Sequence, residues 1–449
     1  LARAAEPQVA AEIDRLVRRG AVPDPAVREA ARSILHEVRV RGDAAVRAAN
    51  EAHGGGSADG RLLADPADLR AARDALPREL RAALEKMIEH VRRFHEPQLP
   101  RTTRTVVAPG IEIERRWTPL SRVGAYVPGG SAAYPSSLVM CAVPARVAGV
   151  GNLVVATPAR PEGRPSAALL GCAGLLEVDA LVIAGGAQAV GALAFGLPEA
   201  GLAPVERIVG PGNAWVTAAK LEVFGQVGID LPAGPSEVLV LADATADPAH
   251  VAADLLSQAE HGPDSPAILV TADAGLAEAV EAELARQLER APRRATLTRS
   301  LAAAGLLVLA PDLDSAVAFS EAYAPEHLTV VLADAESAVA RIRSAGSIFV
   351  GPFSPESAGD YASGANHVLP TGGLARSSGA LSVEDFGHFV QVQRLTRDGL
   401  GAIRETVTTL AAAEGLAGHA EAVEVRFRAA ATTGAAASPP LEPTEAGRA

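Results

Sequence analysis

The chain has 449 residues, of which 48% are hydrophobic and 21% charged, as in an ordinary folded globular enzyme large enough for more than one core. Its formal net charge of -12 argues against nucleic acid as the main partner, because phosphate backbones attract basic surfaces. No apolar run has the length that a bilayer requires, so we expect no membrane partner.

Two scarce residue types narrow the chemistry further. Lys86 and Lys220 are the only lysines, so a Schiff-base enzyme would have two candidate amines, and no Gly-x-x-x-x-Gly-Lys-Ser/Thr phosphate loop occurs. Cys141 and Cys172 lie in apolar stretches without neighbours that would activate a thiolate. We therefore expect both cysteines to serve packing and the protein to work in a reducing cytoplasm.

The N-terminal part of the chain is predicted to be helical. Ala10, Ile13, Leu16 and Val17 recur at helical spacing, which predicts a helical arm over residues 1–22 that could pack on a partner. A mixed helical region follows to about residue 96. Residues 106–113 then predict a strand, a turn and a second strand.

From residue 123 short apolar strands alternate with helices. Segments 147–158, 179–186 and 205–210 each end in Gly or Pro, as buried parallel strands do before a loop. A further series of strands is predicted within 236–243, 267–271 and 346–351. This pattern predicts an α/β fold with two Rossmann-like α/β domains, a cleft between them, and small helical segments at both termini.

Glycine-rich turns give an ambiguous signal for a dinucleotide. Gly149-Val150-Gly151 lacks the third glycine and the later acidic residue of the usual fingerprint. The turn at 185–188 follows a predicted strand, and its backbone N–H groups at a helix N-terminus could face a pyrophosphate. Paired glycines after a strand form a simple tight turn just as often, so both interpretations remain open at this point.

One helix end carries an amide and an imidazole that could bind a cation. Gln258 and His261 are three residues apart and share a helix face, and Gly262-Pro263 ends that helix. Gln is an uncommon zinc ligand, and a capping or surface role for His261 stays open. Asp360 and His419 offer further donor atoms downstream, but their spacing does not show that they meet.

The adjacent residues Glu326 and His327 are the strongest candidates for catalysis. An imidazole can take a proton from an alcohol near neutral pH, and a carboxylate in a dry pocket can deprotonate water. Pro325 ends the helix predicted over 315–323, and an apolar strand follows at 328–332, so the pair is predicted at a helix-to-strand turn. A solvated pair on a loop is the alternative.

With these residues the sequence resembles the histidinol dehydrogenase family, the enzymes of the last two steps of histidine biosynthesis. The resemblance extends over roughly residues 25 to 430 in the family's order. Besides the Gln258/His261 helix and the Glu326-His327 turn, it rests on segments 123–130, 184–189, 209–213, 231–237 and 364–370.

Several residue roles are implied by this resemblance. It implies one Zn²⁺ per subunit, bound by Gln258, His261, Asp360 and His419. It implies Glu326 and His327 as catalytic bases, and NAD held near Tyr126, Gln188 and Asn213. The residues that it places against the substrate are Ser236, Gln258, His261, Glu326, His327, Asp360, His367, Glu414 and His419.

The reaction implied is the four-electron oxidation of L-histidinol to L-histidine through bound L-histidinaldehyde, with two NAD. One alternative is a paralogous zinc- and NAD-dependent alcohol-to-acid dehydrogenase for another small diol or amino alcohol. A more distant one is a two-lobed binding protein without catalytic activity. An aldehyde step through a cysteine thiolate is also conceivable, and the setting of Cys141 and Cys172 argues against it.

The pattern of the chain predicts a domain organisation, and the resemblance implies a homodimer with shared active sites. We expect a helical arm at 1–22, a first α/β domain at 23–125 and 236–380 with the metal and catalytic residues, and a second Rossmann-like α/β domain at 126–235 on the NAD side. A helical dimerisation segment is expected at 381–428. Residues 429–449, rich in Ala, Pro, Thr and Gly, are expected to form a disordered tail.

Overall fold

A computed structural model describes residues 2–3, 7–129 and 133–428 of the chain. The chain divides into two compact units, one formed by Leu1–Pro100 with Thr118–His388 and the other by Arg101–Trp117 with Phe389–Ala449. The predicted tail at 429–449 lies outside the described residues. No helix in the described ranges is long and apolar enough to cross a membrane.

The N-terminal region is helical, as predicted. A two-residue strand, β1 (Ala2–Arg3), is followed by α1 (Pro7–Val17), α2 (Pro25–Arg41), α3 (Asp43–His53), α4 (Pro66–Asp74) and α5 (Arg78–His95). The turn before α2 shows why that helix begins there. Asp24 accepts a hydrogen bond from the Ala26 N–H at 2.7 Å, and Pro25 occupies the first helical position, where a missing N–H costs nothing.

The next segment contains an antiparallel hairpin and a five-stranded parallel sheet. The hairpin comprises β2 (Thr103–Ala108) and β3 (Ile111–Pro119), which confirms the strand, turn and strand predicted at 106–113. The parallel sheet and its helices comprise β4 (Arg122–Tyr126), α6 (Pro135–Ala148), β5 (Asn152–Thr157), α7 (Ala167–Leu175), β6 (Ala180–Ile183), α8 (Gly186–Phe195), β7 (Arg207–Val209), α9 (Ala214–Val223) and β8 (Gly228–Ile229).

The strand order in this sheet is β6-β5-β4-β7-β8, with every neighbouring pair parallel. The sequence prediction placed residues 147 and 148 in a strand, but they form the last turn of α6. The strand begins only at Asn152 because Gly149 takes a left-handed φ of +94° and ends the helix there.

Helices α2 and α3 of the N-terminal region pack on this five-stranded sheet, which differs from the predicted domain boundaries. Leu35 and Val38 of α2 share a buried cluster with Val190 and Leu193 of α8. A Cβ atom added to Gly191 would lie 3.1 Å from the Val38 side chain, so this glycine permits the close approach of the two helices. The boundary predicted between residues 125 and 126 also falls inside β4, where hydrogen bonding to β5 and β7 is continuous.

The second parallel sheet has six strands in the order β1-β11-β10-β9-β12-β13. Its pairs are all parallel, which confirms the predicted α/β class. Its elements are β9 (Val238–Ala242), α10 (Pro248–Ala259), β10 (Ala267–Thr271), α11 (Ala274–Leu288), α12 (Arg294–Ala304), β11 (Gly305–Leu309), α13 (Leu313–Tyr323), β12 (His327–Val331), α14 (Ala335–Val339), β13 (Ser347–Val350) and α15 (Glu356–Tyr361).

Helices cover both faces of the six-stranded sheet, so β9 and β10 are buried on both sides and consist of apolar residues apart from Thr271 at the end of β10. Leu239 of β9 belongs to a cluster with α13, whereas Val240 of the same strand belongs to a cluster with α10 and α11. Leu16 of α1 packs against the α13 cluster. The predicted N-terminal arm therefore packs on its own chain.

The second unit corrects the prediction of a wholly helical segment at 381–428. Residues 387–395 form a strand, β14 (Gly387–Leu395), beside β3 in a three-stranded sheet of order β14-β3-β2, and α16 (Arg397–Ala413) and α17 (Ala417–Glu424) follow. Alternating half-buried and exposed residues along β14 are typical of a strand with one covered face. Arg394 on this strand pairs with Glu114 of β3 at 3.1 Å.

Candidate active site

The two parallel sheets present opposite ends to the candidate site. Tyr126 ends β4, and Gly210 follows β7, so both belong to the carboxyl edge of the five-stranded sheet. Glu237 and Glu326 immediately precede β9 and β12, so both belong to the amino edge of the six-stranded sheet. Loops from these two edges supply most of the residues discussed below.

The catalytic candidates lie at a helix-to-strand turn, as predicted. Helix α13 ends at Tyr323, Ala324 adopts a left-handed φ of +52°, and His327 begins β12. A positive φ is strained for a residue with a Cβ atom, and here it turns the chain abruptly from helix to strand. Glu326 is 6% and His327 3% exposed, so the alternative of a solvated loop pair is wrong.

The backbone of Glu237 holds both members of this pair. Its N–H donates to Glu326 Oε2 at 2.8 Å, and its carbonyl oxygen accepts from the His327 N–H at 3.2 Å. The same carbonyl lies 3.2 Å from His327 Nδ1, which favours a proton on Nδ1. His327 Nε2 is buried and has no hydrogen-bond partner among the described residues, so it is free to accept a proton.

Burial changes the acid strength of two carboxyl groups near His327. Loss of hydration raises the pKa of Glu326 well above its usual range, while the Glu237 N–H and the Ser236 hydroxyl act in the opposite direction. Burial raises the pKa of Glu356 to about 8, partly offset by His327. A carboxylate with a raised pKa is a stronger base, which suits proton removal from water.

Helices α10 and α15 bring together side chains of the types that can bind a metal ion. Gln258 lies fully buried in the last turn of α10, and His261 follows the end of that helix, as predicted. Donor atoms of His261, Glu356 and Asp360 all lie within 4.8 Å of one another. The Gln258 Nε2 atom is buried without a hydrogen-bond partner in the described chain. These side chains fit a divalent cation, since imidazole, carboxylate and amide groups are all metal ligands.

Glu356 was not among the sequence predictions. It lies on α15 four residues before Asp360, so the two carboxylates share one face of that helix. Its Oε1 atom is 3.6 Å from His327 Nδ1, and its Oε2 atom has no partner among the described residues. The spacing to Asp360 was the available signal, but two carboxylates one turn apart on a helix are usually solvated.

His367 is placed at the same site by contacts with Asp360. Its Nδ1 atom lies 3.1 Å from the Asp360 carbonyl oxygen, and its Nε2 atom lies 3.2 Å from Ser137 Oγ. Burial lowers the pKa of His367, while the Asp360 carboxylate acts in the opposite direction. Loss of hydration also lowers the pKa of His261, although the residue as a whole is exposed. Both imidazoles are therefore favoured in the neutral form that can bind metal or substrate.

A cavity of about 530 Å³ joins these groups within the first unit. Both α/β parts of that unit line it, in agreement with the predicted cleft. From the five-stranded part come Ser137 and Asn213, and the six-stranded part contributes Ser236, His261, Glu326, His327, Asp360 and His367. The volume suits a small organic molecule.

All three residues predicted to contact NAD line a second, larger cavity of about 1030 Å³. Asn213 lines both cavities, so the two share a border. Tyr126 Oη accepts from the Gly186 N–H at 3.4 Å, and Gln188 Nε2 donates to Asn50 Oδ1 at 3.2 Å. The Asn213 side chain caps α9 by accepting from the Trp215 N–H at 3.1 Å, so this residue also has a structural role.

The remaining predicted residues, Glu414 and His419, belong to the second unit. Glu414 follows the end of α16, and His419 lies in α17, where both side chains are exposed. Their participation in the site stays a prediction.

The two cysteines are fully buried, and neither is among the residues that line the two cavities. Burial raises the pKa of each thiol, to about 12 for Cys172. A catalytic thiolate is thus not favoured, because the reactive thiolate form is suppressed at both positions.

Comparison with known proteins finds relatives along nearly the whole chain. The sequence profile of the histidinol dehydrogenase family matches residues 17–427. Histidinol dehydrogenase of Leifsonia xyli subsp. xyli is 48% identical over 418 residues, which are 92% of this chain and 95% of the relative. Histidinol dehydrogenase of Natronomonas pharaonis is 48% identical over 401 residues, which are 89% of this chain and 93% of the relative. The crystal structure of histidinol dehydrogenase from Elizabethkingia anophelis has a TM-score of 0.87 at 35% identity, covering 93% of this chain and 96% of that one. This chain belongs to the histidinol dehydrogenase family of oxidoreductases, the enzymes of histidine biosynthesis.

Proposed function

We propose that this protein oxidises L-histidinol to L-histidine by four electrons, through bound L-histidinaldehyde, with one Zn²⁺ per subunit and two NAD per turnover. The observation that carries the proposal is the cavity of about 530 Å³, in which the buried pair Glu326 and His327 meets the donor groups of His261 and Asp360. Proton-transfer groups and cation ligands thus line one small space that borders a second cavity.

The proposed zinc ligands are Gln258, His261, Asp360 and His419. Gln258 supports this set through its Oε1 atom, the amide atom that can bind a cation, which lies 3.4 Å from Ser236 Oγ in the cavity wall. Glu356 extends the cluster. When bound, zinc would hold the imidazole and amine of histidinol and so fix the alcohol carbon in place.

His327 is the proposed base for both oxidations. Its Nε2 atom would take the hydroxyl proton of histidinol. At the same time hydride would leave the carbon that bears this hydroxyl group and pass to NAD in the larger cavity. The Glu237 carbonyl at Nδ1 fixes the tautomer that this step requires. His327 would return this proton to the aldehyde oxygen as hydroxide adds, and in the second oxidation it would take a proton from the hydrated aldehyde while hydride leaves the same carbon for a second NAD.

Glu326 is the proposed base that prepares the aldehyde for the second oxidation. Its buried carboxylate would deprotonate a water molecule, and the resulting hydroxide would add to the carbonyl carbon. Ser236 and His367 would contact the substrate from the cavity wall, and Glu414 would bind its polar end. Tyr126, Gln188 and Asn213 would contact NAD.

We place the reaction in the cytoplasm, because two free, buried thiols suit a reducing compartment. We further propose a homodimer in which His419 and Glu414 complete the partner's site, as the family resemblance implies.

The test is NADH formation from histidinol and NAD by the purified protein, before and after removal of metal with a chelator. We expect two NADH per histidinol, no turnover by the metal-free protein, and an unchanged circular dichroism spectrum, because apolar clusters hold the fold. Full activity in protein shown to be free of metal would refute the zinc proposal. Turnover of other amino alcohols or diols without turnover of histidinol would support the paralogous dehydrogenase.

A further inference from the structure

The N-terminal arm reaches the catalytic edge of the six-stranded sheet through Arg19. This residue lies two positions beyond α1, and its side chain is 16% exposed. The guanidinium donates two hydrogen bonds to the Glu237 carboxylate, from Nε at 2.8 Å and from Nη2 at 2.5 Å. Such a two-point arrangement fixes both partners in direction as well as in distance.

Tyr323 completes the surroundings of this ion pair. The Arg19 guanidinium carbon lies 3.3 Å from the centre of the Tyr323 ring, and Arg19 Nη1 donates to the Tyr323 carbonyl oxygen at 2.7 Å. The Tyr323 hydroxyl donates to Glu237 Oε2 at 3.0 Å. Arg19 thereby joins the last residue of α13 to the residue that precedes β9.

Glu237 connects this ion pair to the catalytic candidates. Its side chain is 3% exposed and held by Arg19, whereas its backbone N–H and carbonyl hold Glu326 and His327. If Arg19 were removed, a buried carboxylate would lose its cation and would have to take up a proton or turn towards water. Either change would act on the peptide groups that set the positions of Glu326 and His327.

We infer that Arg19 is a positioning residue for the reaction, acting through Glu237 on Glu326 and His327. The inference rests on the proposed catalytic roles of that pair. It assigns the N-terminal arm a function in catalysis on its own chain, in addition to its packing on α13.

The first experiment compares Arg19→Ala with Arg18→Ala in the zinc-loaded protein. Arg18 is a matched control on the same arm, because its side chain is 78% exposed and pairs with the exposed Asp14 at 2.6 Å. We expect Arg19→Ala to lower kcat roughly 10- to 100-fold, since a small misplacement of catalytic groups has such an effect. The KM values for histidinol and NAD should change by less than about threefold, and Arg18→Ala should match the wild type.

Chemical rescue separates positioning from general loss of structure. Ethylguanidinium at low millimolar concentration should restore part of the kcat of Arg19→Ala, because it can occupy the space beside Glu237. Ethylguanidinium should not alter the kcat of Arg18→Ala. Unchanged kcat in Arg19→Ala, or a loss of activity that is not rescued and affects KM as much as kcat, would overturn the inference. Arg19→Lys keeps the charge but not the two parallel hydrogen bonds, so it should also show a reduced kcat. This variant replaces Arg19→Ala in the experiment if Arg19→Ala does not fold.

A second measurement does not depend on turnover. In ¹⁵N-histidine NMR spectra, the His327 signals, assigned through their loss in His327→Ala, should shift in Arg19→Ala and stay in place in Arg18→Ala. Unshifted His327 signals in Arg19→Ala would refute the inference, and this result does not depend on which substrate the enzyme oxidises. Failure of the wild type to oxidise histidinol, with shifted signals in Arg19→Ala, would refute the proposed function and leave the positioning of His327 by Arg19 supported.

Discussion

At the scale of single residues, burial changes the pKa of the carboxyl groups around His327. Glu326 and Glu356 are each almost fully buried within reach of His327, and loss of hydration raises the pKa of both carboxyl groups. They differ in hydrogen bonding. Glu326 accepts from the Glu237 N–H, whereas Glu356 Oε2 has no partner in the described chain. Only Glu326 is therefore oriented by the backbone.

This difference leads to a prediction for Glu326→Gln. The amide cannot deprotonate water, so oxidation of the aldehyde should slow by roughly 100-fold or more, while oxidation of the alcohol should slow far less. Single-turnover experiments started from histidinol or from histidinaldehyde, with NADH absorbance as the signal, measure the two steps separately. Equal slowing of both steps would contradict the assignment of water activation to Glu326.

Asp254 on α10 allows a prediction about stability and pH. Burial raises the pKa of its carboxyl from 3.8 to about 6, with His250 opposing the rise. A carboxyl whose pKa is raised by folding stabilises the fold fully only below about pH 4, and that contribution is lost as the pH rises through about 6. At pH 8 the charged form costs at most about 3 kcal/mol, from the difference between 3.8 and about 6.

Asp254→Asn should therefore raise the free energy of unfolding at pH 8 by up to about 3 kcal/mol and change it little at pH 4. Urea unfolding at the two pH values measures the effect. Glu281→Gln, at an exposed position of α11, is the control and should leave both values unchanged. A stabilisation that is equal at both pH values would show that the cost does not come from ionisation of Asp254.

At the scale of elements, one buried ion pair holds the loop between β7 and α9. Lys220 of α9 pairs with Asp230 and donates to the Gly210 carbonyl oxygen at 3.1 Å, and Asp230 accepts from the Gly210 N–H at 2.7 Å. Gly210 has a φ of +103°, and a Cβ atom there would lie 2.2 Å from the Tyr126 carbonyl oxygen. The ion pair thus fixes the backbone at Gly210, a position that only glycine can occupy. Asn213 follows three residues later in the same loop.

We expect Lys220→Met to lower the free energy of unfolding by about 3 to 5 kcal/mol, because it leaves a buried carboxylate without its cation. Lys86, the only other lysine, is exposed on α5, so Lys86→Met is a matched control with an expected change within about 0.5 kcal/mol. Urea unfolding of both variants provides the comparison. A loss below about 1 kcal/mol for Lys220→Met would show that the pair does not stabilise the loop.

At the scale of the whole molecule, the proposed homodimer shares each active site between two chains. Glu414 and His419 are exposed residues of the second unit, and the other proposed ligands belong to the first unit. If His419 completes a partner's site in a two-fold dimer, a mixed dimer of His327→Ala and His419→Ala subunits has one doubly damaged site and one intact site.

Unfolding and refolding the two inactive variants together should then restore roughly a quarter of the wild-type activity, since about half of the dimers are mixed and half of their sites intact. Differential tags identify the mixed dimers, and NADH formation measures their activity. Each variant refolded alone is the control. Confirmed mixed dimers without activity would show that every site is built within one chain.

Local sequence was sufficient for the parts of the site that depend on neighbouring residues. Pro325 and the apolar run after His327 predicted the helix-to-strand turn, and Gly262-Pro263 predicted the end of the helix that carries Gln258. The order of strands and helices likewise predicted two α/β parts, because periodicity and turn residues act over a few positions.

Tertiary structure decided everything that depends on contacts between distant segments. Glu356 approaches His327, Arg19 reaches Glu237, and Ser137 meets His367 only because separate helices and sheet edges converge. Residues 387–395 became a strand because β3 was available beside them. Sequence by itself determined which local elements form and which end in reactive side chains, because propensity and capping are properties of short segments. The folded chain alone determined which of those side chains meet, because burial and hydrogen bonding across hundreds of residues depend on the packing of the whole unit.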